Sequence, residues 1–243
     1  MKKHFLTLIT ALLLLAGGLL VCGCEKEPPP PPEVEPELQP TLELSVTPEG
    51  EIPYGDGLDI RWTADNNTNK VVLKVNGKIK ETRYGSNSRN GAFYIDRLFK
   101  DALVTIVATN VNLSVEEEKE VHVGDWTSST FGLVSYFPWK YKSQTLSSLD
   151  GKLLATIGLT EKEKSWVFYY HKDGRLTFSP NLSNNTEPWY LQNDTTMIRN
   201  GVARRLQVNQ EEMTISYQTT WNGQQVWFNM VFEHASDVPT DPD

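Results

Sequence analysis

The side chains that could do chemistry are few in this chain and widely spaced. After the first 24 residues the histidines are His122, His171 and His234, which lie far apart in the sequence. A zinc or related metal site needs such ligands at close spacing, so we predict none. The Gly-x-Ser-x-Gly motif and a glycine-rich phosphate loop are also absent from the sequence, which argues against the common hydrolase and nucleotide-binding chemistries.

Paired carboxylates are the remaining catalytic possibility, because glycoside hydrolysis needs only two carboxyl groups about 5 to 9.5 Å apart. Glu161 and Glu163 follow Thr160 in a capping-box pattern, which is typical of a solvated helical turn. Glu211 and Glu212 stand at the edge of a predicted strand and have the same interpretation. We therefore predict that the chain is not an enzyme, with no catalytic residue and no cofactor.

Aromatic rings are the groups in this chain best suited to binding, because they stack on sugar faces or enclose an apolar ligand. The candidate ligand-binding residues are Trp139, Tyr169, Trp189, Tyr190, Arg204, Trp221 and Trp227. The alternative for each ring is a place in the hydrophobic core, which we favour for any single one. Trp227 is the best exception, because Val226 and Phe228 on either side of it are predicted to face the core. It therefore lies beside Asn229 on the face that a structural sheet would leave polar.

Two further features add to this candidate set. Arg204 and Arg205 are adjacent, so in a strand they point to opposite faces, and one of them offers an inward cation for an acidic ligand. Trp139 and Tyr141 flank Lys140 and are predicted to form either a lid or a plug.

The element that must position these rings is a β domain predicted over residues 125–236. Asp173-Gly174, Asn200-Gly201 and Asn222-Gly223 mark hairpin turns between strands with alternating apolar residues. Consecutive hairpins with large inward aromatics predict a small barrel or a strongly bent sheet.

In three segments the domain resembles the lipocalin-like domains of Bacteroidota lipoproteins: Val167-Phe-Tyr-Tyr-His-Lys-Asp-Gly174, Pro188-Trp-Tyr-Leu191 and Asn193-Asp-Thr-Thr-Met-Ile198. The spacing after Gly124-Asp-Trp126 does not predict the eight strands of a standard lipocalin. Residues 237–243 are predicted to be a disordered tail.

A first β domain is predicted over residues 41–124. Leu58, Ile60 and Trp62 follow the two-residue period of a half-buried strand, and about seven such strands predict an antiparallel sandwich. The domain resembles bacterial immunoglobulin-like repeats at Tyr54-Gly-Asp-Gly57, Ile60-Arg-Trp62, Val75-Asn-Gly77, Val107-Ala-Thr-Asn110 and Val121-His-Val-Gly124. The resemblance implies a spacer, with Trp62 in its core. The predicted fold class is therefore all-β, a sandwich followed by a barrel or bent sheet.

The N-terminus predicts export and a lipid anchor. Lys2 and Lys3 precede an apolar run that ends at Val21, and residues 1–23 have the pattern of a secretory signal rather than a permanent span. Val21-Cys-Gly-Cys24 resembles the bacterial lipobox, in which a small residue precedes the cysteine that is lipidated. Cys24 is the predicted lipidation site, and the alternative is an ordinary cleaved signal with cysteine as filler. Without a second cysteine, the mature chain can form no internal disulfide.

Residues 24–40 are predicted to be the lipidated cysteine and a tether. Residues 28 to 40 contain seven prolines, so the segment prefers polyproline II and extends roughly 40 Å at about 3 Å per residue. Glu25-Lys-Glu27 resembles the short export signals of Bacteroidota surface lipoproteins. The expected location is the bacterial outer membrane, facing either the cell surface or the periplasm.

Charge narrows the expected partners. The chain has 31 acidic and 23 basic residues, a net charge of −8, and removing residues 1–23 takes away two lysines and leaves −10. Neutralising phosphates is the main source of nucleic-acid affinity, so no nucleic-acid partner is expected. The predicted function is a membrane-anchored, non-catalytic envelope lipoprotein that binds a small hydrophobic molecule or a glycan. The alternative is a structural or assembly subunit that contacts a protein partner through a sheet edge.

Overall fold

A computed structural model describes residues 38–178 and 186–241 of the chain. The predicted signal peptide (1–23), Cys24 and the tether as far as residue 37 lie outside the described residues. Residues from Leu38 onward group into one unit by their contacts. No helix among the described residues is both long and apolar enough to cross a membrane.

The first seven strands form two antiparallel sheets that enclose a shared core. They are β1 (Leu42–Thr47), β2 (Leu58–Ala64), β3 (Lys70–Val75), β4 (Lys78–Tyr84), β5 (Asn90–Ile95), β6 (Ala102–Thr109) and β7 (Ser114–Val121). One sheet has the order β1-β2-β5 and the other β4-β3-β6-β7. The core includes Ile60, Leu73, Ile106 and Trp62, whose indole N–H donates to the Ser88 carbonyl at 3.1 Å. The prediction that Trp62 lies in the core is confirmed.

The remaining nine strands form one antiparallel sheet that closes into a barrel. They are β8 (Trp139–Ser147), β9 (Leu153–Ile157), β10 (Val167–Tyr170), β11 (Arg175–Phe178), β12 (Thr186–Asn193), β13 (Thr196–Arg199), β14 (Val202–Val208), β15 (Glu212–Trp221) and β16 (Gln224–His234). Strands β10 to β16 follow one another in order, and β8 joins β16 to β10. The predicted all-β fold class is confirmed, with a closed eight-stranded barrel.

Eight strands close the barrel, whereas the spacing after Trp126 did not predict the eight strands of a standard lipocalin. The reason is that one edge of β8 pairs with two partners. Trp139 and Lys140 pair with β10, whereas Gln144–Ser147 pair with β9. Strand β9 is therefore an extra strand outside the eight that close the barrel, and counting hairpins along the sequence cannot reveal this.

Asn-Gly turns connect the hairpins, as their sequences predict. Asn200 and Gly201 have φ values of 49° and 74°, and Asn222 and Gly223 have 49° and 76°. A type I′ turn needs positive φ at both central residues, and asparagine and glycine tolerate this best. These turns set the register of β13 with β14 and of β15 with β16, and so decide which side chains face the core.

The barrel core is filled by the inward residues of the strands and by one short helix. These residues include Trp139, Phe168, Tyr170, Leu176, Trp189, Met197, Leu206, Met213, Ile215, Met230 and Phe232. Helix α1 (Thr130–Ser135) begins where the Ser129 hydroxyl accepts from the Gly132 N–H. Its Phe131 stacks on Trp189, with ring centroids 5.4 Å apart. The helix thus packs against the barrel core.

Tyr54, in the segment before β2, belongs to the barrel core, whereas Ile52 of the same segment belongs to the core of the sandwich. Tyr54 is 3% exposed and lies 5.3 Å from Phe99, between ring centroids. The Tyr54 N–H donates to the Ser128 hydroxyl at 2.9 Å, and the Ser129 hydroxyl donates to the Tyr54 carbonyl. These contacts tie the sandwich directly to the barrel.

Thr240 and Asp241 contact the barrel, which differs from the disordered tail predicted over residues 237–243. The Thr240 N–H donates to the Tyr136 carbonyl at 2.7 Å. Asp241 accepts from the Lys172 N–H and contacts Nδ1 of His171, both at 2.8 Å. The carboxylate of Asp241 meets an N–H and an imidazole in the turn between β10 and β11, which the sequence of the tail alone does not reveal. Residues 242–243 lie outside the described residues.

Candidate functional site on the outer face of the barrel

Trp139 and Trp189 lie in the barrel core. They are 0% and 2% exposed. The indole N–H of Trp139 donates to the Val134 carbonyl at 2.8 Å, and that of Trp189 to the carbonyls of His171 and Arg175 at 3.2 and 3.1 Å. Because their rings are packed and their N–H groups satisfied, neither residue offers a free surface to a ligand. The sequence left two alternatives open for each ring, a ligand site or the hydrophobic core. Both Trp139 and Trp189 belong to the core.

Tyr141 also packs in the core, as a plug rather than a lid. Its ring centroid lies 5.0 Å from that of Phe168 and 4.8 Å from that of Phe232. Burial raises the pKa of Tyr141 to about 12, although the positive charge of Arg199 acts in the opposite direction.

Three further candidates are on the surface but apart from one another. Tyr169 on β10 lies beside His171, with ring centroids 6.4 Å apart. Tyr190 is half-exposed on β12, and Trp221 is exposed at the end of β15, next to a hairpin turn. The structure does not bring these rings together into a common cleft.

Arg204 and Arg205 point to opposite sides of β14, as predicted. Arg204 faces the core side, where its guanidinium carbon lies 5.2 Å from the ring centroid of Tyr217. Arg205 is exposed on the outer side. A second inward cation, Arg199, pairs with Glu187 at 2.6 Å and lies over the Phe168 ring at 5.6 Å. The barrel interior is thus occupied by aromatic rings and by a paired arginine.

The outer wall around Trp227 has a different composition. The strand register aligns a row of polar residues across six neighbouring strands: Thr196, Arg205, Ser216, Asn229, Thr145 and Thr156. The row crosses five interstrand spacings and is roughly 24 Å long when measured along the sheet. Trp227 lies in the adjacent row, paired with Gln218 on one side and Ser147 on the other.

Asn229 organises the centre of this row. Its Oδ1 accepts from the Ser216 hydroxyl at 2.8 Å. Its Nδ2 donates to the hydroxyls of Ser147 and Thr145, at 3.0 and 3.3 Å. Three hydroxyl groups are therefore held in fixed positions without a ligand. Such preorganisation reduces the entropic cost of binding.

Arg205 and Trp227 form a pair at one side of this network. The guanidinium carbon of Arg205 lies 5.8 Å from the ring centroid of Trp227, within the range of a cation–π contact. Trp227 is half-buried in the wall and Arg205 is exposed. The pair places a flat apolar surface next to a positive charge.

Two adjoining open grooves of about 630 and 610 Å³ run along this wall, and both are lined by Arg205, Ser216 and Trp227. The first extends to Thr196 on β13. The second extends to the turn between β8 and β9, where Asp150 lies. We call the continuous surface the Trp227 groove. It is large enough for a short oligomer rather than a single small molecule.

Sequence reasoning selected Trp227 but missed the residues that surround it. Ser216, Thr145 and Ser147 were not candidates, because isolated serines and threonines carry no signal in a strand. The alternation within β15 and β16 could have placed Ser216 beside Asn229 on the Trp227 side. Thr145 and Ser147 become visible only when the pairing of β8 with β16 is known.

Comparisons with known proteins leave the family open. No family model matches the chain, and no curated protein matches it. Similar solved structures include the sulfur carrier protein SoxY from Chlorobium limicola f thiosulfatophilum, at 10% identity and a TM-score of 0.30, covering 34% of this chain and 78% of that chain. The function of the chain therefore rests on the geometry of the site.

Proposed function

We propose that this protein is a non-catalytic, lipid-anchored protein of the bacterial cell envelope whose barrel binds a glycan in the Trp227 groove. The observation that carries the proposal is a half-buried tryptophan on the outer wall, beside hydroxyl groups that Asn229 already holds in place. A purely structural wall does not need a large ring at this position.

The chemistry of the groove matches that of a sugar. The C–H face of a pyranose ring is apolar and stacks on an indole, while its hydroxyl groups both donate and accept hydrogen bonds. Gln218 and Ser147, which lie opposite Trp227 on the two neighbouring strands, provide both kinds of partner. The length of the groove fits several sugar units in a row.

A small hydrophobic ligand was the other ligand class predicted, and the interior of the barrel would be its natural site. Phe168, Trp189 and Phe232 fill that interior, and Phe131 packs against it from helix α1. An apolar ligand would have to displace these rings, whereas a glycan on the outer wall displaces only water. The structure therefore favours the glycan.

The anchor and location rest on the sequence. Lys2, Lys3 and the apolar run to Val21 support export, and Gly23-Cys24 supports lipidation. The proline-rich tether then supports a barrel held away from the membrane, where a long polymer can reach its outer wall. We propose an outer-membrane location, with the folded part facing either the surface or the periplasm.

The proposal is tested by calorimetric titration of the mature chain, residues 24–243, carrying Cys24→Ser, with a panel of neutral and acidic oligosaccharides. Trp227→Ala should abolish binding of every oligosaccharide that the parent binds. Tyr190→Ala is the matched control, because it removes an exposed ring from the same barrel wall outside the groove. Equal binding by the parent and Trp227→Ala would overturn the proposal.

A second function is favoured by one observation. Strand β9 is the last strand of its sheet, and Leu153 and Leu154 on it are both exposed. An edge strand with apolar side chains can pair with a strand of another protein. In that case the anchored protein, solubilised in mild detergent, would migrate as a larger assembly on a native gel, and Leu154→Glu would return it to the size of the single chain.

A further inference from the structure

Arg205 differs from two other cations on the outer wall of the barrel. Lys140 and Lys142 on the same wall pair with Glu233 and Glu212, at 3.2 and 2.8 Å. Arg205 is exposed and makes no ion pair within residues 38–178 and 186–241. In a chain with 31 acidic and 23 basic residues, an arginine without a carboxylate is free to bind an anion.

Trp227 lies beside this cation. The guanidinium carbon is over the ring, 5.8 Å from the ring centroid, near the outer limit of a cation–π contact. The ring is only half-buried, so part of its surface stays exposed to solvent and can contact a ligand. The planar fork of an arginine matches a carboxylate in bidentate geometry, which a lysine cannot do.

We propose that the ligand of the Trp227 groove is an acidic oligosaccharide, in which one unit stacks on Trp227 while the carboxylate of that unit or its neighbour pairs with Arg205. The inference rests on the proposed function, since it names the ligand class of the same groove. A uronic acid is complementary to Trp227 and Arg205, because it joins an apolar ring face to a carboxylate.

One end of the groove sets the direction of the ligand. Asp150 lies there, and a hydrogen bond from the Ser148 hydroxyl holds the pKa of its carboxyl below the ordinary value. Asp150 follows β8, and β8 and the Arg205 strand β14 are three strand spacings apart, roughly 14 Å along the sheet. The acidic unit should therefore lie beside Arg205, and a neutral unit near Asp150.

The negative charge of the whole chain does not prevent such binding. Charges beyond about 8 Å are largely screened at physiological ionic strength, so the local pair with Arg205 decides the affinity. Added salt should weaken the acidic ligand more than a neutral one, because only the acidic ligand depends on this pair.

The test compares ligands in which methyl esterification removes the negative charge of the carboxylate. Oligogalacturonate and its fully methyl-esterified form have the same rings and hydroxyl groups, and oligomers of glucuronate and mannuronate give further acid and ester pairs. We expect the mature Cys24→Ser chain to bind the acid form about tenfold more tightly than the ester in at least one pair. This ratio should fall as salt is added.

Variants at Arg205 assign the preference to a residue. Arg205→Met should bring binding of the acid down to that of the ester, and Arg205→Lys should keep part of the difference. Lys142→Met is the control, since it removes a cation from the same wall that already has a carboxylate partner. The control should leave the ratio of acid to ester unchanged.

The outcomes separate this inference from the proposed function. If acid and ester bind equally, or if Arg205→Met keeps the preference for the acid, then the proposal of an acidic ligand is wrong. The glycan proposal is then decided by the binding test with Trp227→Ala. If the parent binds neither form in any pair and no neutral oligosaccharide, both are wrong.

Discussion

Arg204 and Arg205 are consecutive in β14, and yet they belong to two regions with different roles. Arg204 points to the core side, against Tyr217, and Arg205 points to the outer wall beside Trp227. The interior carries more aromatic rings than the wall, but those rings contact one another, and the indole N–H groups of Trp139 and Trp189 donate to backbone carbonyls. The comparison teaches that residue type does not mark a binding site in this barrel. What marks it is a partly exposed ring next to polar groups that can still form hydrogen bonds.

The difference between the interior and the wall is tested most directly by removing one tryptophan from each region. Trp189→Ala should lower the free energy of unfolding by about 3–5 kcal/mol, because it leaves a cavity beneath Phe131. Trp227→Ala should lower it by only about 1 kcal/mol, because the ring is half-buried. Urea denaturation followed by circular dichroism measures both values. If Trp227→Ala destabilises the protein as much as Trp189→Ala, then Trp227 is a core residue and the proposed groove loses its centre.

Much of this contrast could be predicted from local sequence. The two-residue alternation of β15 and β16 assigned Trp227 to the side opposite Phe228, and the Asn222-Gly223 turn fixed the register that keeps it there. Local pattern is enough here because a hairpin pairs residues that are close in sequence.

The parts that could not be predicted depend on pairing between distant segments. Trp189 has the same local pattern as a groove residue, and it is in the core because Phe131, far away in sequence, stacks on it. The closure of the barrel and the hydroxyls of Thr145 and Ser147 depend on β8 meeting β16 and β10. Nothing local to β8 indicates that it has two partners along one edge.

Alkaline pH should lower the free energy of unfolding through a buried group of the interior, by less than Trp189→Ala does. Burial raises the pKa of Tyr141 to about 12, compared with 10.0 for the exposed phenol. In the unfolded chain the phenol ionises near pH 10, while in the folded protein it stays neutral until about pH 12. The stabilisation is therefore complete below pH 10 and is lost as the pH rises from 10 to 12, at a cost of roughly 2–3 kcal/mol.

Tyr141→Phe isolates this contribution. At pH 7 the variant should be nearly as stable as the parent, because the phenol makes only a 3.8 Å contact with the Met230 sulfur. Between pH 10 and 12 it should lose stability less steeply than the parent, as measured by urea midpoints at each pH. Parallel curves for the two proteins would show that the interior around Tyr141 is open to water.

The smallest effect on stability should come from the centre of the wall. Asn229→Ala removes the hydrogen bonds that orient Ser216, Thr145 and Ser147, and it should cost about 1 kcal/mol or less, since water can replace the lost amide on an outer wall. Oligosaccharide affinity should nevertheless fall about tenfold, because the hydroxyls are no longer held in place. Gln225→Ala removes an exposed amide from the same strand outside the groove, where it donates to the Thr220 hydroxyl, and is the control for losing an amide without losing the network. A large loss of stability with unchanged affinity would assign the Asn229 network to the fold, and the wall would then differ from the interior in composition but not in role.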